Sequence, residues 1–76
     1  MPLGIYVMKV KPGREKEIKR ILLEEFGFDE VHIVTGTFDV IGKIFLPLSR
    51  RGFEELKDNI QKLDGITEVK YLEALD

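Results

Sequence analysis

The sequence predicts an α+β domain whose elements run β-α-β-β-α-β. Three observations carry that reading. Apolar runs rich in β-branched and aromatic residues stand at the start, middle and end of the chain. Between them lie stretches whose apolar positions recur at helical spacing. Glycine or proline punctuates the junctions.

The first strand is GIYVMKVK, residues 4–11, stopped by the turn pair Pro12-Gly13. From Arg14 the apolar positions become Ile18, Ile21, Leu22 and Phe26, one stripe of a helix whose outer face carries Glu15, Lys16, Lys19 and Arg20. Gly27 ends that helix, since a residue without Cβ takes the left-handed conformation freely. Two strands follow, EVHIVTG over residues 30–36 and TFDVIGKIFL over residues 37–46, and Gly36-Thr37 fits a two-residue type II′ turn. Pro47 closes the third strand and Ser49 caps a second helix with the stripe Phe53, Leu56, Ile60 and Leu63, ended by Gly65. ITEVKYLEAL, residues 66–75, is the last strand. This order is the ferredoxin-like split βαβ, a four-stranded antiparallel sheet with both helices on one face. Right-handed crossovers set strands one and three side by side at the centre.

A chain of 76 residues is one domain, residues 1–76, with a small core: such chains bury only about 60% of the surface exposed when unfolded. With 43% hydrophobic and 34% charged residues it is not a disordered chain. The absence of cysteine excludes disulfides, thiolate metal sites and a cysteine nucleophile, and suits a reducing compartment. The opening MPLGIYVMKV does not read as a signal peptide, and no run reaches the roughly 18 apolar residues of a membrane span, so a cytoplasmic location is expected. A net charge of −2 gives no basic excess for nucleic acid, and the pair Arg50-Arg51 reads as a solvated helix start. No direct nucleic-acid or membrane partner, no cofactor and no metal is expected.

A sheet with helices on one side and water on the other alternates apolar and polar residues. This one does not. Strand one sets Tyr6, Met8 and Val10 on one face and Ile5 and Val7 on the other; strand three sets Phe38, Val40, Ile44 and Leu46 against Ile41 and Phe45. The charge-free set is the helix side. Ile5, Val7, Ile41 and Phe45, interspersed with Lys9, Asp39 and Lys43, are left on the open side. At about 1.5–3 kcal/mol for each large apolar side chain buried, exposing them forfeits as much as the whole stability of a small domain. The expected cover is a second copy, sheet against sheet in a two-fold dimer, which buries the same patch twice.

Asp39 stands out in VTGTFDVIGKI. Its plain roles are to solvate the hairpin end or to pair with Lys9 or Lys43. Hydrolytic catalysis needs two carboxylates at fixed separation, and nucleophilic catalysis a Ser or Cys beside a His; no such set is visible, and the one histidine, His32, reads as structural. What the stretch can hold is a zwitterion: backbone N–H groups at Gly36 for a carboxylate, and Asp39 for an ammonium.

YVMKVKPGREKEIKRILL, VHIVTGTFDVIGKI and LDGI together resemble the effector-sensing RAM domain of the Lrp/AsnC (feast/famine) regulators, over nearly the whole chain. The most specific element is VTGTFDV, similar to the family's Val-Thr-Gly-x-aromatic-Asp hairpin. The resemblance implies a dimeric α+β barrel, further assembly of dimers, and an amino-acid effector held where dimers meet, with Thr35, Gly36, Thr37 and Asp39 matching the motif. Co-assembly with full-length regulators of that family is a further expectation. The family carries a helix-turn-helix domain ahead of this one; here strand one begins within a few residues of Met1, so a stand-alone form is expected. Two alternatives share the topology. One is a dimeric α+β barrel enzyme of the cofactor-independent monooxygenase type, which needs a cavity between sheet and helices with His32 pointing into it. The other is an ACT-like amino-acid-binding domain.

Overall fold

The computed structural model describes residues 3–75. Its elements are β1 (Leu3–Val10), α1 (Glu15–Glu24), β2 (Glu30–Ile33), β3 (Val40–Phe45), α2 (Arg50–Gln61) and β4 (Ile66–Glu73). They form a four-stranded sheet in the order β2-β3-β1-β4, every neighbouring pair antiparallel. β1 and β3 are central, as right-handed crossovers require. The ferredoxin-like βαββαβ fold expected from the sequence is the one that forms.

Along β1 the burial alternates residue by residue, so that Gly4, Tyr6, Met8 and Val10 face the helices and Leu3, Ile5, Val7 and Lys9 the open side. α1 buries Ile18 and Leu22, and α2 buries Phe53 and Ile60. Ser49 caps α2 through its hydroxyl, which accepts from Gly52 N at 3.2 Å.

Two aromatic rings press against the sheet where the strands carry glycine. A Cβ on Gly42 would stand 2.8 Å from the Phe28 ring, and one on Gly4 would stand 2.8 Å from the Phe53 ring. Tyr6 fills the space between and donates its hydroxyl to the Phe53 carbonyl at 2.7 Å. Burial, then the neighbouring Tyr71 and Glu54 charges, pushes the Tyr6 phenol far above its ordinary range.

The β2–β3 connection differs from the tight turn expected. The register centres on Gly36-Thr37, with Glu30 opposite Lys43 and Ile33 opposite Val40, but regular pairing stops at Ile33 and Val40. The last cross-strand bond is Val34 N–H to Asp39 O at 2.8 Å. Beyond it a loop replaces the two-residue turn. The cause lies in Asp39, whose N–H turns to Met8 O in β1 at 2.9 Å while its carboxylate accepts from Val10 N–H at 2.9 Å. A short polar side chain that bonds backbone in this way competes with the ladder. Period-two alternation therefore breaks before Val40, and Phe38, expected on the helix side, lies on the open side near Lys9 and Lys70.

Candidate functional site

Lys11 N–H donates to Gly65 O on the β4 side, so the N–H of Val10, one residue earlier, points toward β3. β3 has no regular carbonyl left there, and Asp39 Oδ2 supplies the acceptor. Asp29 plays the same part at the other end of β3, where its Oδ2 accepts from Phe45 N–H at 2.7 Å beyond the start of β2. Both aspartates thus satisfy donors that the ladder leaves unpaired. Neither expected ion pair of Asp39, to Lys9 or to Lys43, occurs among the described residues. Thr35, Gly36 and Thr37 form the exposed tip of the hairpin, and Gly36 holds a φ of +119° that a side chain would resist. The four motif residues therefore sit together at one end of the sheet, three at the tip and Asp39 half-buried at its base.

The cross-strand pairs define the open face. Moving toward the hairpin, they run Leu3–Phe45, then Lys43–Ile5–Leu72, then Ile41–Val7–Lys70, then Lys9–Glu68. Ile5, Val7 and Ile41 are half-buried, and Phe45 is 46% exposed. Leu72, 52% exposed, belongs to the same patch and was not among the residues singled out from the sequence. Its signal was present: in ITEVKYLE, Val69 and Tyr71 face the helices, so Lys70 and Leu72 must face the other way. The apolar residues occupy the end away from the hairpin, and the hairpin end is polar apart from the Phe38 ring.

At that polar corner Lys9 Nζ stands 6.0 Å and Lys70 Nζ 5.9 Å from the centre of the Phe38 ring. Lys70 Nζ is also 3.9 Å from Glu68 Oε2. On the β2 edge His32 Nε2 lies 2.9 Å from Glu30 Oε1. The hydrogen bond from His32, with help from the Lys43 charge, holds the Glu30 carboxyl below its usual range. His32 is opposite Ile41, on the open face, and does not point between sheet and helices. The described surface contains no enclosed cavity. The space a monooxygenase substrate would need is occupied by Tyr6, Phe28 and Phe53.

No family profile matches the sequence, and no curated protein does. Solved structures do. The crystal structure of FFRP-DM1 superposes with a TM-score of 0.84 at 23% identity, covering 99% of this chain and 100% of that one. The hypothetical protein PHS023 from Pyrococcus horikoshii gives 0.83 at 23% identity, over 99% and 90% of the two chains. AsnC from E. coli gives 0.83 at 18% identity, over 99% of this chain and 51% of that regulator. This chain has the RAM-domain fold. The RAM fold accounts for nearly the whole of PHS023 and FFRP-DM1, whereas this chain spans about half the length of AsnC.

Proposed function

We propose that this chain is a non-enzymatic, amino-acid-sensing oligomerisation domain related to the Lrp/AsnC transcriptional regulators. It pairs with a second copy through the open sheet face, using Ile5, Val7, Ile41 and Phe45. Dimers assemble further, a small amino acid lies between them at the hairpin formed by Thr35, Gly36, Thr37 and Asp39, and the domain joins full-length regulators in mixed assemblies. The observation that carries this reading is the apolar patch on the central strands opposite the helices, with Phe45 46% and Leu72 52% exposed, in a chain that superposes on FFRP-DM1 end to end. Covering those side chains recovers a good part of the roughly 1.5–3 kcal/mol that full burial of each is worth.

Two measurements test the two halves. Sedimentation at micromolar concentration checks the assembly: the wild-type chain runs as a dimer or larger, and Phe45→Asp, which sets a charge in the patch at its end away from the hairpin without entering the core, shifts it to a folded monomer. A monomeric wild-type chain refutes the proposal. A thermal-shift panel of the twenty amino acids checks sensing, because ligand at about 100 times its dissociation constant adds about 2.7 kcal/mol of stability. If no amino acid moves the midpoint, the sensing half fails and the assembly half stands.

A further inference from the structure

The polar corner of the open face contains a cation without a counter-ion. Lys9 is partly buried and makes no ion pair among the described residues; its ammonium instead faces the Phe38 ring at 6.0 Å. A ring quadrupole attracts the ammonium but leaves its charge uncompensated. Lys70 approaches the same ring at 5.9 Å, and its own partner, Glu68, stands at 3.9 Å, the length of a loose, solvated pair. Two ammoniums from neighbouring strands thus flank one aromatic ring, beside the hairpin whose backbone Asp39 ties to β1. Asp39 uses Oδ2 for Val10 N–H, and its Oδ1 accepts no hydrogen bond among the described residues.

We propose that the effector of this site is a dicarboxylic amino acid, L-aspartate or L-glutamate, whose side-chain carboxylate is taken by Lys9 and Lys70. This rests on the reading of the hairpin as an amino-acid site. The α-ammonium goes to the free oxygen of Asp39, the α-carboxylate to N–H groups at the Gly36 tip, and the second carboxylate to the unpaired Lys9 ammonium. The chemistry discriminates by charge. A basic side chain meets two ammoniums, and an apolar one leaves Lys9 unpaired, so the corner selects against both. Phe38 supplies an apolar wall for the methylene groups of the ligand.

The experiment measures binding of L-glutamate, L-glutamine, L-leucine, L-lysine and glutarate to the wild-type chain and to Lys9→Met, which keeps the side-chain stem and removes the charge. Circular dichroism first checks that the variant is folded. Glutamate is expected to bind roughly tenfold more tightly than glutamine, with a preference that weakens as salt is raised. Lys9→Met should bring glutamate to the level of glutamine. Equal binding of glutamate and glutamine by the wild type, or a preference that survives in Lys9→Met, overturns the proposal. Glutarate, which has two carboxylates and no ammonium, separates this failure from that of the parent reading. Lys9-dependent glutarate binding with no amino acid bound refutes the zwitterion site and keeps the carboxylate subsite. Amino acids bound without regard to side-chain charge do the reverse. Silence from every ligand overturns both.

Discussion

Removing the Asp39 carboxylate should loosen the sheet at one identifiable bond. Asp39 Oδ2 accepts from the N–H of Val10 at 2.9 Å, a charge-assisted hydrogen bond of a class worth about 1.5–3 kcal/mol. Asp39 is half-exposed, so water can replace part of what is lost, and about 1–2 kcal/mol is the magnitude to expect for Asp39→Ala. In a domain of this size each kcal/mol moves the unfolding midpoint by about 4–8 °C. Asp39→Ala should therefore lower it by roughly 4–16 °C. Asp39→Asn, which keeps a neutral acceptor, should lower it by about half as much. Both must be read at one fixed protein concentration, because the proposed association would make the midpoint concentration-dependent. The local readout is amide hydrogen exchange: Val10 N–H should lose protection in Asp39→Ala while Tyr6 and Met8, deeper in β1, keep theirs. Unchanged exchange at Val10, or an Asn variant as damaged as the Ala one, would show that the bond does not hold this end of the sheet.

Gly42→Ala places a Cβ 2.8 Å from the Phe28 ring and should cost about 1–3 kcal/mol in chemical denaturation, with Phe28→Leu in the same chain restoring part of it. Tyr6 and Tyr71 both have raised phenol pKa values, chiefly through burial. A group whose folded pKa lies above its unfolded one contributes stability that is complete below the unfolded value, 10.0 for tyrosine, and is lost as pH rises above it. The midpoint should thus fall from about pH 10 upward. Tyr6→Phe should flatten that fall, while forfeiting at neutral pH about 0.5–1.5 kcal/mol for the bond to the Phe53 carbonyl. The Glu30 carboxyl, lowered first by its hydrogen bond to His32, should titrate at higher pH in His32→Ala, followed by side-chain carboxyl NMR shifts.

The element order and the two faces of the central strands were legible because they depend on strong local signals. Tyr6, Met8 and Val10 alternate with Ile5 and Val7 without interruption, and the structure keeps that alternation through all of β1. Ser49 three residues ahead of Gly52 reads as an N-cap and is one. The hairpin was legible only in its register. Gly36-Thr37 marks the midpoint of the pairing, yet nothing in VTGTFDV says that Asp39 will bond to β1, a strand almost thirty residues away in sequence, at |i−j| = 29. That bond is non-local, and propensity cannot see it. Phe38 was misplaced for the same reason, since its face was inferred by carrying the alternation of β3 past the point where the strand begins. The matching role of Asp29 at Phe45 was hidden likewise, an aspartate at a strand start being as ready for solvent as for a neighbouring amide. Leu72 lay within reach of period-two reasoning, once β4 was set in register with Ile5.

The break before Val40 decides the chemistry of the open face. Had regular pairing run on to Gly36, Phe38 would share the face of Val40 and lie under the helix layer, and Asp39 would stand upright beside Ile41 as a charge inside the apolar patch. The patch would then be interrupted, and the ammonium of Lys9 would have the Asp39 carboxylate for a cross-strand neighbour. Instead Asp39 leans along the ladder toward Val10, and Phe38 moves to the open side between Lys9 and Lys70. The face is divided in consequence. One end, with Ile5, Val7, Ile41, Phe45 and Leu72, is apolar, and the other carries the ammoniums of Lys9 and Lys70 around the Phe38 ring. A single carboxylate directed to a backbone amide is what keeps the two apart, so Asp39→Ala should disturb assembly and binding together, whereas Lys9→Met should disturb binding alone.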